Sequence, residues 1–492
     1  MAAKRATFVV IGGGIAGVTC AETLGYLSQS CDDVDIVLVS ASTLIKAVVN
    51  HHKFGQTLES MDVAEKAADI LTRRFPNITV KHGKVKRINA DEKTVVLSNG
   101  SLLSYDKLCI ATGATPKKLS MRGDANLELS IRDTESVAEF QGRLKTAKRV
   151  VVVGNGGIAT ELVYEIKSCE MVWCVKHKSI SAAFFDGSAA QFFLPHLQDS
   201  KAEGKESVHK RWKYGKEPGK EIYRHRGNAL GPDWANSFLL SGAKNECPIK
   251  KVKVEYEVEA QKIMTHQTFL ESGSAEATSS TNAWPVYIEL TNGCVYGSDV
   301  VVNATGVVPS CDILFAGKLE VLDCSEDGGL FIDTEMRTNI PDVYAAGDIV
   351  DTSLWQQSSQ WFQMRLWTQA KQMGCYAAKC MFNHLADCSV PMDFCFEIFS
   401  HVTKFFGFKV VLLGLYNAQG MDPDDYVVHL RCTKGEEYVK VVMENGRMVG
   451  AVLIGDTDLE ETFENLILNR LDISHIENSL LDSDIDIEDY FD

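Results

Sequence analysis

Short apolar runs alternate with helical patterns along most of the chain. Runs at 7–11, 34–39 and 149–153 consist mainly of valine, isoleucine and leucine, which is typical of strands buried on both faces of a parallel sheet. After the first run, Cys20, Leu24 and Leu27 follow at helical spacing. This alternation of strands and helices predicts an α/β fold with parallel sheets.

A glycine-rich loop joins the first strand to the first helix. It reads Gly12-Gly13-Gly14-Ile15-Ala16-Gly17, in the strand, turn and helix order of a dinucleotide pyrophosphate site. Gly12 permits the tight turn, Gly14 lets the backbone approach a diphosphate, and Gly17 allows the helix to pack closely on the strand. The loop predicts a nucleotide site formed by Gly12, Gly14, Ile15, Ala16 and Gly17.

A second loop repeats this arrangement. It reads Gly154-Asn155-Gly156-Gly157-Ile158-Ala159, after the strand 149–153 and before a helix at 160–166. Two such loops in one chain predict two nucleotide sites. Gly154, Gly156, Gly157 and Ile158 are the candidate residues of the second.

Three further segments distinguish the two sites. Ala111-Thr112-Gly113 follow a strand ending at 109, and 303–306 repeat that pattern up to Gly306. Gly347 and Asp348 end the stretch 344–348. A carboxylate at a strand end before a helix can accept hydrogen bonds from sugar hydroxyls, and glycine permits close approach. The alternative for Asp348 is a helix N-cap.

Together, these loops and segments resemble the pyridine nucleotide-disulfide oxidoreductase superfamily over roughly residues 7–380. The resemblance implies that the first loop binds FAD, with Asp348 on its ribityl chain, and that the second binds NAD(P)H. It implies two Rossmann-like dinucleotide-binding domains, the second inserted in the first, plus a small C-terminal α+β domain. The expected boundaries are 1–125 and 335–390 for the FAD domain, 126–334 for the NAD(P)H domain, and 391–492 for the C-terminal domain.

Composition narrows the class of protein. The 492 residues are 45% hydrophobic with a formal net charge of -16, which is typical of a soluble globular protein and argues against direct nucleic-acid binding. No apolar run approaches the roughly 20 residues of a membrane helix, and we expect no signal peptide before the first strand. Fourteen cysteines without a framework spacing indicate reduced thiols.

The chain lacks the redox-active cysteine pair that disulfide reductases of this superfamily usually place against the flavin. Residues 40–50 contain no cysteine. Cys169 with Cys174 and Cys375 with Cys380 have suitable spacing, but we favour structural roles for both pairs. His401 resembles the family's C-terminal histidine-glutamate motif only faintly. The sequence therefore predicts direct hydride transfer from nicotinamide to flavin N5, without a dithiol relay.

Two residues are candidate catalytic and cofactor-binding groups. Lys46 can stabilise negative charge on reduced flavin or pair with a carboxylate near N5; the alternative is a solvated lysine on a loop. Glu161, in the predicted first turn of the second loop's helix, matches a family glutamate near the nicotinamide and flavin. Its alternative is a side chain that complements the helix dipole.

The choice between NADH and NADPH stays open. The second strand of a nucleotide unit normally ends in an acidic residue that binds ribose. Ser40, a candidate FAD contact, stands there in the first unit, and Lys176-His177-Lys178 stand there in the second. The cations either admit a 2′-phosphate or form an exposed cluster.

Residues of about 185–283 are predicted to form a long polar insert. Its middle is basic from Lys201 to Arg226, with Trp212, Tyr214 and Tyr223 between the charges. We favour a flexible solvated segment over one that contacts RNA or an acidic partner. Within it, residues 272–280 are predicted to be disordered.

The C-terminal region is predicted to form strands at 409–413, 438–443 and 448–454, a tight turn at Asn445-Gly446, and a helix at 458–471. The acidic tail from Asp482 either binds a partner as an extended segment or is disordered.

Segments at 45–48, 155–159, 229–234, 364–370, 453–463 and 485–492 resemble one animal branch of the superfamily. That resemblance implies an FAD flavoprotein of cytoplasm and nucleus that uses NAD(P)H in oxidative-stress defence and has a role in muscle integrity, with the sarcomere as a further location. It also implies a protein partner, the tRNA-splicing RNA ligase complex, which the flavoprotein shields from oxidation. Two hypotheses remain: an oxidoreductase with a soluble acceptor, and a redox-gated binding protein whose reduced complex with NAD(P) is recognised by a partner with little turnover.

Overall fold

The computed structural model describes residues 5–31, 33–119, 121–131, 134–198, 207–213, 251–278, 283–311, 314–316, 322–355 and 360–482. The chain forms two compact units. The first comprises Met1–Lys53, Glu59–Thr115 and Val308–Glu397, and the second comprises Phe54–Leu58, Pro116–Val307 and Ile398–Asp492.

The first unit is built on a five-stranded parallel sheet. Residues 8–11 of its central strand are almost completely buried, as expected where both faces of a parallel sheet are covered. In spatial order the strands are Val343–Ala345, Lys107–Ile110, Ala6–Ile11, Val34–Ser40 and Ile78–His82. Two of its helices, Ile15–Leu27 and Trp367–Asn383, pack closely because Gly374 leaves no side chain between them; a Cβ there would lie 2.2 Å from the Ala16 carbonyl oxygen.

Smaller elements complete the first unit. Strands Leu44–Lys53 and Glu59–Ala67 pair as an antiparallel hairpin. A four-stranded sheet has the order Leu314–Ala316, Val85–Asn89, Thr94–Leu97 and Leu102–Ser104, and Leu330–Phe331 pairs with Val350–Asp351. Further helical segments among the described residues are Asp69–Arg74, His384–Ala386 and Phe394–Phe396.

The second unit contains another five-stranded parallel sheet. Its central strand, Arg149–Val153, is wholly buried. The spatial order is Glu128–Ser130, Val300–Asn303, Arg149–Val153, Glu170–Cys174 and Val252–Glu255. Its helical segments are Ala125–Leu127, Thr134–Leu144, Gly157–Glu165, Gly187–Phe193, Leu194–Gln198 and His266–Ser272.

Two further sheets belong to the second unit. One has the order Arg122–Gly123, Ala260–Thr265, Val286–Leu290 and Val295–Ser298. The other has six strands in the order Ser207–Lys213, Val427–Thr433, Glu437–Glu444, Arg447–Ile454, Phe408–Gly414 and Ser400–Phe405. Helix Glu460–Asn469 packs on the six-stranded sheet. Short strands Ala114–Pro116 and Val307–Pro309 lie where the chain passes from one unit to the other.

The structure confirms the predicted fold class, with two parallel nucleotide-type sheets, the second inserted in the first, and a C-terminal α+β region. The boundaries fall elsewhere than expected. Residues 116–125 belong to the second unit because Arg122–Gly123 pairs with residues 262–263 there. Residues 308–334 belong to the first because Leu314–Ala316 pairs with residues 87–89. Within the described residues, no helix is both long and apolar enough to cross a bilayer.

The predicted insert at 185–283 is largely ordinary secondary structure where it is described. Val252–Glu255 is an edge strand of the second parallel sheet, and Ser207–Lys213 pairs antiparallel with Val427–Thr433. The expectation of disorder at 272–280 is wrong for its first part, because Glu276 forms a buried ion pair with Arg149 at 2.7 Å. Several insert positions and the acidic tail lie outside the described residues: Lys201, Lys205, Tyr214, Lys216, Lys220, Tyr223, Arg224, Arg226 and 483–492.

Candidate cofactor sites

The first glycine loop has a backbone that only glycine accommodates. Gly12 has a φ of +129°, and a Cβ there would lie 2.1 Å from the Ala111 carbonyl oxygen. A Cβ at Gly17 would lie 2.0 Å from the Gly12 carbonyl oxygen. Strand, loop and helix therefore approach each other as closely as backbones can, which is what a pyrophosphate turn requires.

The same loop leaves room for an anion at the start of its helix. Gly14 is the N-cap of Ile15–Leu27, and no side chain caps that end. A Cβ at Gly14 would have no atom within 4 Å. The helix thus begins with the positive end of its dipole towards open space. The N–H groups of its first turn, which include those of Ile15 and Ala16, lie at this end. This geometry fits a dinucleotide diphosphate.

Ser40 lies directly beneath this loop. It is buried at the end of Val34–Ser40, and a Cβ at Gly13 would lie 2.3 Å from its Oγ. Its hydroxyl donates to the Ser42 carbonyl at 2.7 Å and accepts from the Ser42 N–H at 3.2 Å. Because the hydroxyl orders its own turn, a direct contact between Ser40 and a cofactor stays a prediction.

The segment Ala111-Thr112-Gly113 lies beside the loop, as predicted. The Ala111 N–H continues the sheet by donating to the Ile11 carbonyl at 2.8 Å. Thr112 Oγ1 donates to the Ser310 carbonyl at 3.0 Å, and Gly113 has a φ of +70°. These contacts place the segment at the carboxyl end of the central strands, where nucleotides bind in such sheets.

Asp348 is buried at the same end of the first sheet. Gly347 has a φ of +83°, and a Cβ there would lie 2.7 Å from the Ala16 Cβ, so glycine lets this segment reach the first loop helix. The expectation that a helix follows at once is wrong: Val350–Asp351 is a strand, and the next long helix begins at Trp367. Asp348 is therefore no helix N-cap, and its contact with the ribityl chain stays a prediction.

Arg365 holds the backbone of Asp348 in place, a role that the sequence did not indicate. Its side chain is buried, its Nε donates to the Asp348 carbonyl at 3.0 Å, and its Nη2 pairs with Asp327 at 2.9 Å. Its φ of +56° is unusual for a residue with a side chain. Gln369 holds this turn by bonding the Met364 N–H and the Phe362 carbonyl. The only sequence signal was membership of the segment 364–370.

Lys46 lies on strand Leu44–Lys53, so the alternative of a solvated lysine on a loop is wrong. The hairpin brings Glu65 opposite it, and Lys46 Nζ lies 3.2 Å from Glu65 Oε1. The ammonium also stands 5.9 Å from the ring centroid of Trp367, and the Lys46 N–H donates to the Gly13 carbonyl at 2.9 Å. It is thus a paired, partly buried cation beside the first loop, and its catalytic role stays a prediction.

The second loop reproduces the first. Gly154 has a φ of +141°, and a Cβ there would lie 2.1 Å from the Ala304 carbonyl oxygen. Gly156 is the N-cap of Gly157–Glu165, again without a side-chain cap, and Ile158 is buried in the first turn. Gly306, with a φ of +103°, has nothing within 4 Å of its missing Cβ. This loop, too, fits a nucleotide diphosphate.

Glu161 does not lie in the first turn of the second loop helix. The helix begins at Gly157 and has no acidic residue in its first turn. Glu161 is half-buried one turn further along. The dipole-complementing interpretation is weakened, because that effect is confined to the terminal turn. A role near the nicotinamide stays a prediction.

The cations after Glu170–Cys174 are partly engaged. Lys176 Nζ lies 3.2 Å from Glu259, although both side chains are exposed. Burial and the adjacent Lys176 lower the pKa of His177, whose Nδ1 lies 3.1 Å from Asn155 Nδ2. His177 is therefore neutral at pH 7, and the choice between NADH and NADPH stays open.

One cysteine of each pair considered from the sequence is a poor nucleophile. Cys169, Cys174 and Cys380 are buried, Cys375 is half-buried, and all four are reduced. Burial raises the pKa of Cys174 well above its usual value and that of Cys380 to about 12. The thiolate form, which attacks disulfides and flavins, is therefore scarce at neutral pH.

Comparisons with known proteins agree with this geometry. The family model for pyridine nucleotide-disulphide oxidoreductase matches residues 6–203 and 250–374, and that for the rubredoxin NAD+ reductase C-terminal domain matches 400–471. The chain belongs to the pyridine nucleotide-disulphide oxidoreductase family. Proteins of this family bind FAD and NAD(P)H, which confirms the expected cofactor pair and makes this chain an oxidoreductase by family.

Individual relatives extend the similarity to the whole chain. Human pyridine nucleotide-disulfide oxidoreductase domain-containing protein 1 is 50% identical over 501 residues, covering 99% of this chain and 98% of the relative. The solved NAD-dependent persulfide reductase from A. fulgidus superposes with a TM-score of 0.65 at 19% identity, covering 96% of this chain and 78% of that one. The water-forming NADH oxidase from Lactobacillus brevis gives 0.62 at 16%, covering 98% and 94%. These two structures bear on the fold alone.

Proposed function

We propose that the protein is an FAD-dependent NAD(P)H oxidoreductase that transfers hydride from nicotinamide to flavin without a dithiol relay. The observation that carries this proposal is the pair of glycine turns, at Gly12 and Gly154, that no other residue fits, each followed at once by a helix. When bound, the nicotinamide supplies a hydride and the flavin accepts it at N5. The residues of this chain hold, orient and electrostatically support the two cofactors.

Each candidate residue has a distinct task in this proposal. The two loops bind the diphosphates through backbone N–H groups. Asp348 accepts hydrogen bonds from the ribityl hydroxyls, and Arg365 fixes the backbone of Asp348. Lys46 supplies a cation beside the first loop whose charge Glu65 partly balances. Glu161 is assigned to the nicotinamide side because it lies on the second loop helix.

Anaerobic titration of the purified yellow protein with one equivalent of NADH, and separately of NADPH, tests this function. Flavin absorbance is followed before and after air is readmitted. Bleaching that reverses at once and repeats with each further addition supports an oxidase-like enzyme and identifies its coenzyme. Bleaching that persists in air supports the redox-gated binding protein. A flavin that neither coenzyme bleaches contradicts both hypotheses.

Gly154→Ala is the matched control for this titration. The added Cβ would collide with the Ala304 carbonyl oxygen in the second loop, while the first loop is unchanged. We expect the variant to retain flavin and to be bleached by dithionite but not by the coenzymes.

Asp348→Ala tests the flavin assignment separately. Losing the carboxylate removes acceptors from a buried position, so we expect a lower ratio of FAD to protein after gel filtration. A variant that purifies as yellow as the wild type contradicts the assignment of Asp348.

We further propose that the protein acts on a protein partner, the tRNA-splicing RNA ligase complex, in the cytoplasm and nucleus and in the sarcomere of muscle, and protects it from oxidation. The resemblance of segments at 45–48, 155–159, 229–234, 364–370, 453–463 and 485–492 to one animal branch of the family supports this proposal. Co-purification of the ligase complex with the tagged protein, with and without NAD(P)H, tests it. Capture that is independent of the coenzyme contradicts redox gating, and no capture contradicts the partner.

A further inference from the structure

Two exposed cysteines of the first unit lie outside every site described so far. Cys311 follows Ser310, and Cys324 stands at the base of a tight turn formed by residues 325–328. Both thiols are reduced. Neither belongs to the segment 40–50, where disulfide reductases of the family carry their reactive pair.

The two thiols are neighbours in space although 13 positions separate them along the chain. The Cys311 thiol is close enough to that of Cys324 to influence its pKa through hydrogen bonding. Cys311 Sγ also donates to the Gly328 carbonyl at 2.6 Å, and Cys324 Sγ donates to the Leu322 carbonyl at 3.2 Å. Cys311 therefore rests against the turn that begins next to Cys324.

The turn itself is held firmly. The Gly328 N–H donates to the Ser325 carbonyl at 2.9 Å, and the Ser325 N–H donates to the Gly329 carbonyl at 2.8 Å. Asp327 accepts from the Gly329 N–H at 3.2 Å and forms the buried ion pair with Arg365. The turn therefore holds Cys324 in place on the segment that the Cys311 thiol contacts, and disulfide formation requires such proximity.

We propose that Cys311 and Cys324 are a redox-active thiol pair that forms a reversible disulfide when the protein meets a hydroperoxide. With hydrogen peroxide, the Cys311 thiolate attacks one peroxide oxygen, giving a sulfenic acid and water. The Cys324 sulfur then attacks the sulfenic sulfur, forms the S–S bond and releases a second water. Two thiols lose two protons and two electrons, and one peroxide is reduced to two waters.

The environment of the pair favours this order of events. Burial raises the pKa of the Cys324 thiol; hydrogen bonding to Cys311 opposes the rise, and the carboxylate of Asp323 adds to it. A thiol with a raised pKa is a poor first nucleophile at neutral pH but can still resolve a sulfenic acid beside it. A dithiol such as dithiothreitol reverses the bridge by thiol exchange.

The pair also lies next to residues assigned to the flavin. The Ser310 carbonyl, adjacent to Cys311, accepts from Thr112 Oγ1. On the Cys324 side, Asp327 pairs with Arg365, which donates to the Asp348 carbonyl. A bridge would join two segments that each contact the first cofactor site, but its formation depends only on the thiols and the peroxide.

Peptide mapping of the full-length flavoprotein tests the proposal. The protein is treated with one equivalent of hydrogen peroxide, alkylated and digested with trypsin, which separates the two cysteines into the peptides 263–318 and 319–337. We expect these peptides to be linked, with the loss of two hydrogens, and to separate after dithiothreitol. Cys311→Ser and Cys324→Ser should each abolish the linkage.

Two variants keep the result unambiguous. Cys294 shares the first peptide with Cys311, and Cys388 is exposed elsewhere in the first unit, so Cys294→Ser and Cys388→Ser should both retain the linkage. Circular dichroism and flavin content confirm that each variant is folded. Alkylation of Cys311 and Cys324 as separate thiols under peroxide that oxidises Cys388 would overturn the proposal, as would a linkage that survives in Cys324→Ser.

Discussion

Arg365 is a buried side chain that holds the backbone of Asp348, the residue assigned to the flavin. A left-handed backbone conformation is tolerated there because the guanidinium gains both the Asp327 carboxylate and the Asp348 carbonyl. A strained backbone conformation of this kind persists where several surrounding contacts hold it in place. We infer that Arg365 is a positioning residue for Asp348.

Arg365→Met tests this inference. The variant leaves Asp327 buried without its cation, which costs about 3–5 kcal/mol when one partner of a buried pair is removed. We expect a lower thermal midpoint and a lower ratio of FAD to protein. Arg337→Met is the control, because Arg337 is half exposed and its pairs with Asp333 and Glu335 are worth about 0–1 kcal/mol. Equal flavin content in both variants would contradict the positioning role.

His401 carries a pH dependence that its sequence motif did not predict. Its ring stacks on Phe184 in the second unit, and among the residues that the structure describes its buried Nδ1 has no hydrogen-bond partner. Burial lowers its pKa from 6.5 to about 4. The folded pKa lies below the unfolded one, so the stabilising effect of neutral His401 is complete above pH 6.5 and is lost as pH falls towards 4.

His401→Phe should therefore separate from the wild type in acid. Between pH 7 and pH 5 the wild type loses about 2 kcal/mol through this group, whereas phenylalanine has no proton to take up. We expect similar urea midpoints for the second unit at pH 7 and a higher midpoint for the variant at pH 5. His82→Phe, at an exposed position, serves as the control. Parallel pH profiles of wild type and His401→Phe would refute this role.

At the scale of elements, Asp186 connects a short helix to a sheet strand. It caps Gly187–Phe193 by accepting from the N–H groups of Ser188 and Ala189 at 3.0 Å. It also lies 2.6 Å from the ammonium of Lys440, a buried residue of strand Glu437–Glu444. Burial opposes ionisation, but Lys440 outweighs it and holds the pKa of Asp186 at about 2.

Two substitutions at Asp186 should separate its two roles. Asp186→Ala removes the cap, worth about 1 kcal/mol, and leaves Lys440 buried without a counter-charge, which costs about 3 kcal/mol. Asp186→Ser restores the cap alone, so we expect it to recover about 1 kcal/mol of the loss. Urea denaturation at pH 7 provides the measurement. Identical midpoints for the two variants would show that the cap contributes nothing.

Elements with strong local signals were predictable from the sequence. The turn at Asn445-Gly446 has φ values of 50° and 72°, as a two-residue hairpin requires, and it joins the predicted strands. Both phosphate loops also lie where their glycines indicated. Elements specified by distant partners were not predictable. Val252–Glu255 carries two charged residues, and it becomes an edge strand only because Glu170–Cys174 pairs with it.

The residues of the candidate sites also differ in whether the sequence alone could predict them. Glycine positions follow from backbone geometry, which the local sequence encodes. The pairing of Lys46 with Glu65 depends on a hairpin register, and the support of Asp348 by Arg365 depends on a turn with positive φ. Neither leaves a periodic signal in the chain, so both required the structure.

At the scale of the whole molecule, the chain passes repeatedly between its two units. Residues 54–58, which connect the hairpin strands of the first unit, are grouped with the second. There, the buried carboxylate of Glu464 accepts from the N–H groups of Gln56, Thr57 and Leu58 and from the Thr57 hydroxyl. One helix side chain thus fixes a connection more than 400 residues away in sequence.

Glu464→Ala should loosen this connection. Buried N–H groups without acceptors cost about 1–3 kcal/mol each, and an opening made easier by about 2 kcal/mol raises the rate of proteolysis roughly 30-fold. We expect faster tryptic cleavage after Lys53, measured by mass spectrometry of the native protein. Glu461→Ala, on the exposed face of the same helix, should cleave at the wild-type rate. An unchanged rate in Glu464→Ala would show that other contacts hold the segment.

The first parallel sheet also dictates the order of events on the ribosome. Strand Lys107–Ile110 is made early, but its neighbour Val343–Ala345 emerges only after most of the second unit has been translated. At about 5–20 residues per second, the nascent chain carries an unpaired sheet edge for roughly 10–50 s. Such an edge can pair with other chains and cause aggregation. We therefore expect the yield of folded protein from rapid overexpression to depend on chaperones that cover the incomplete sheet.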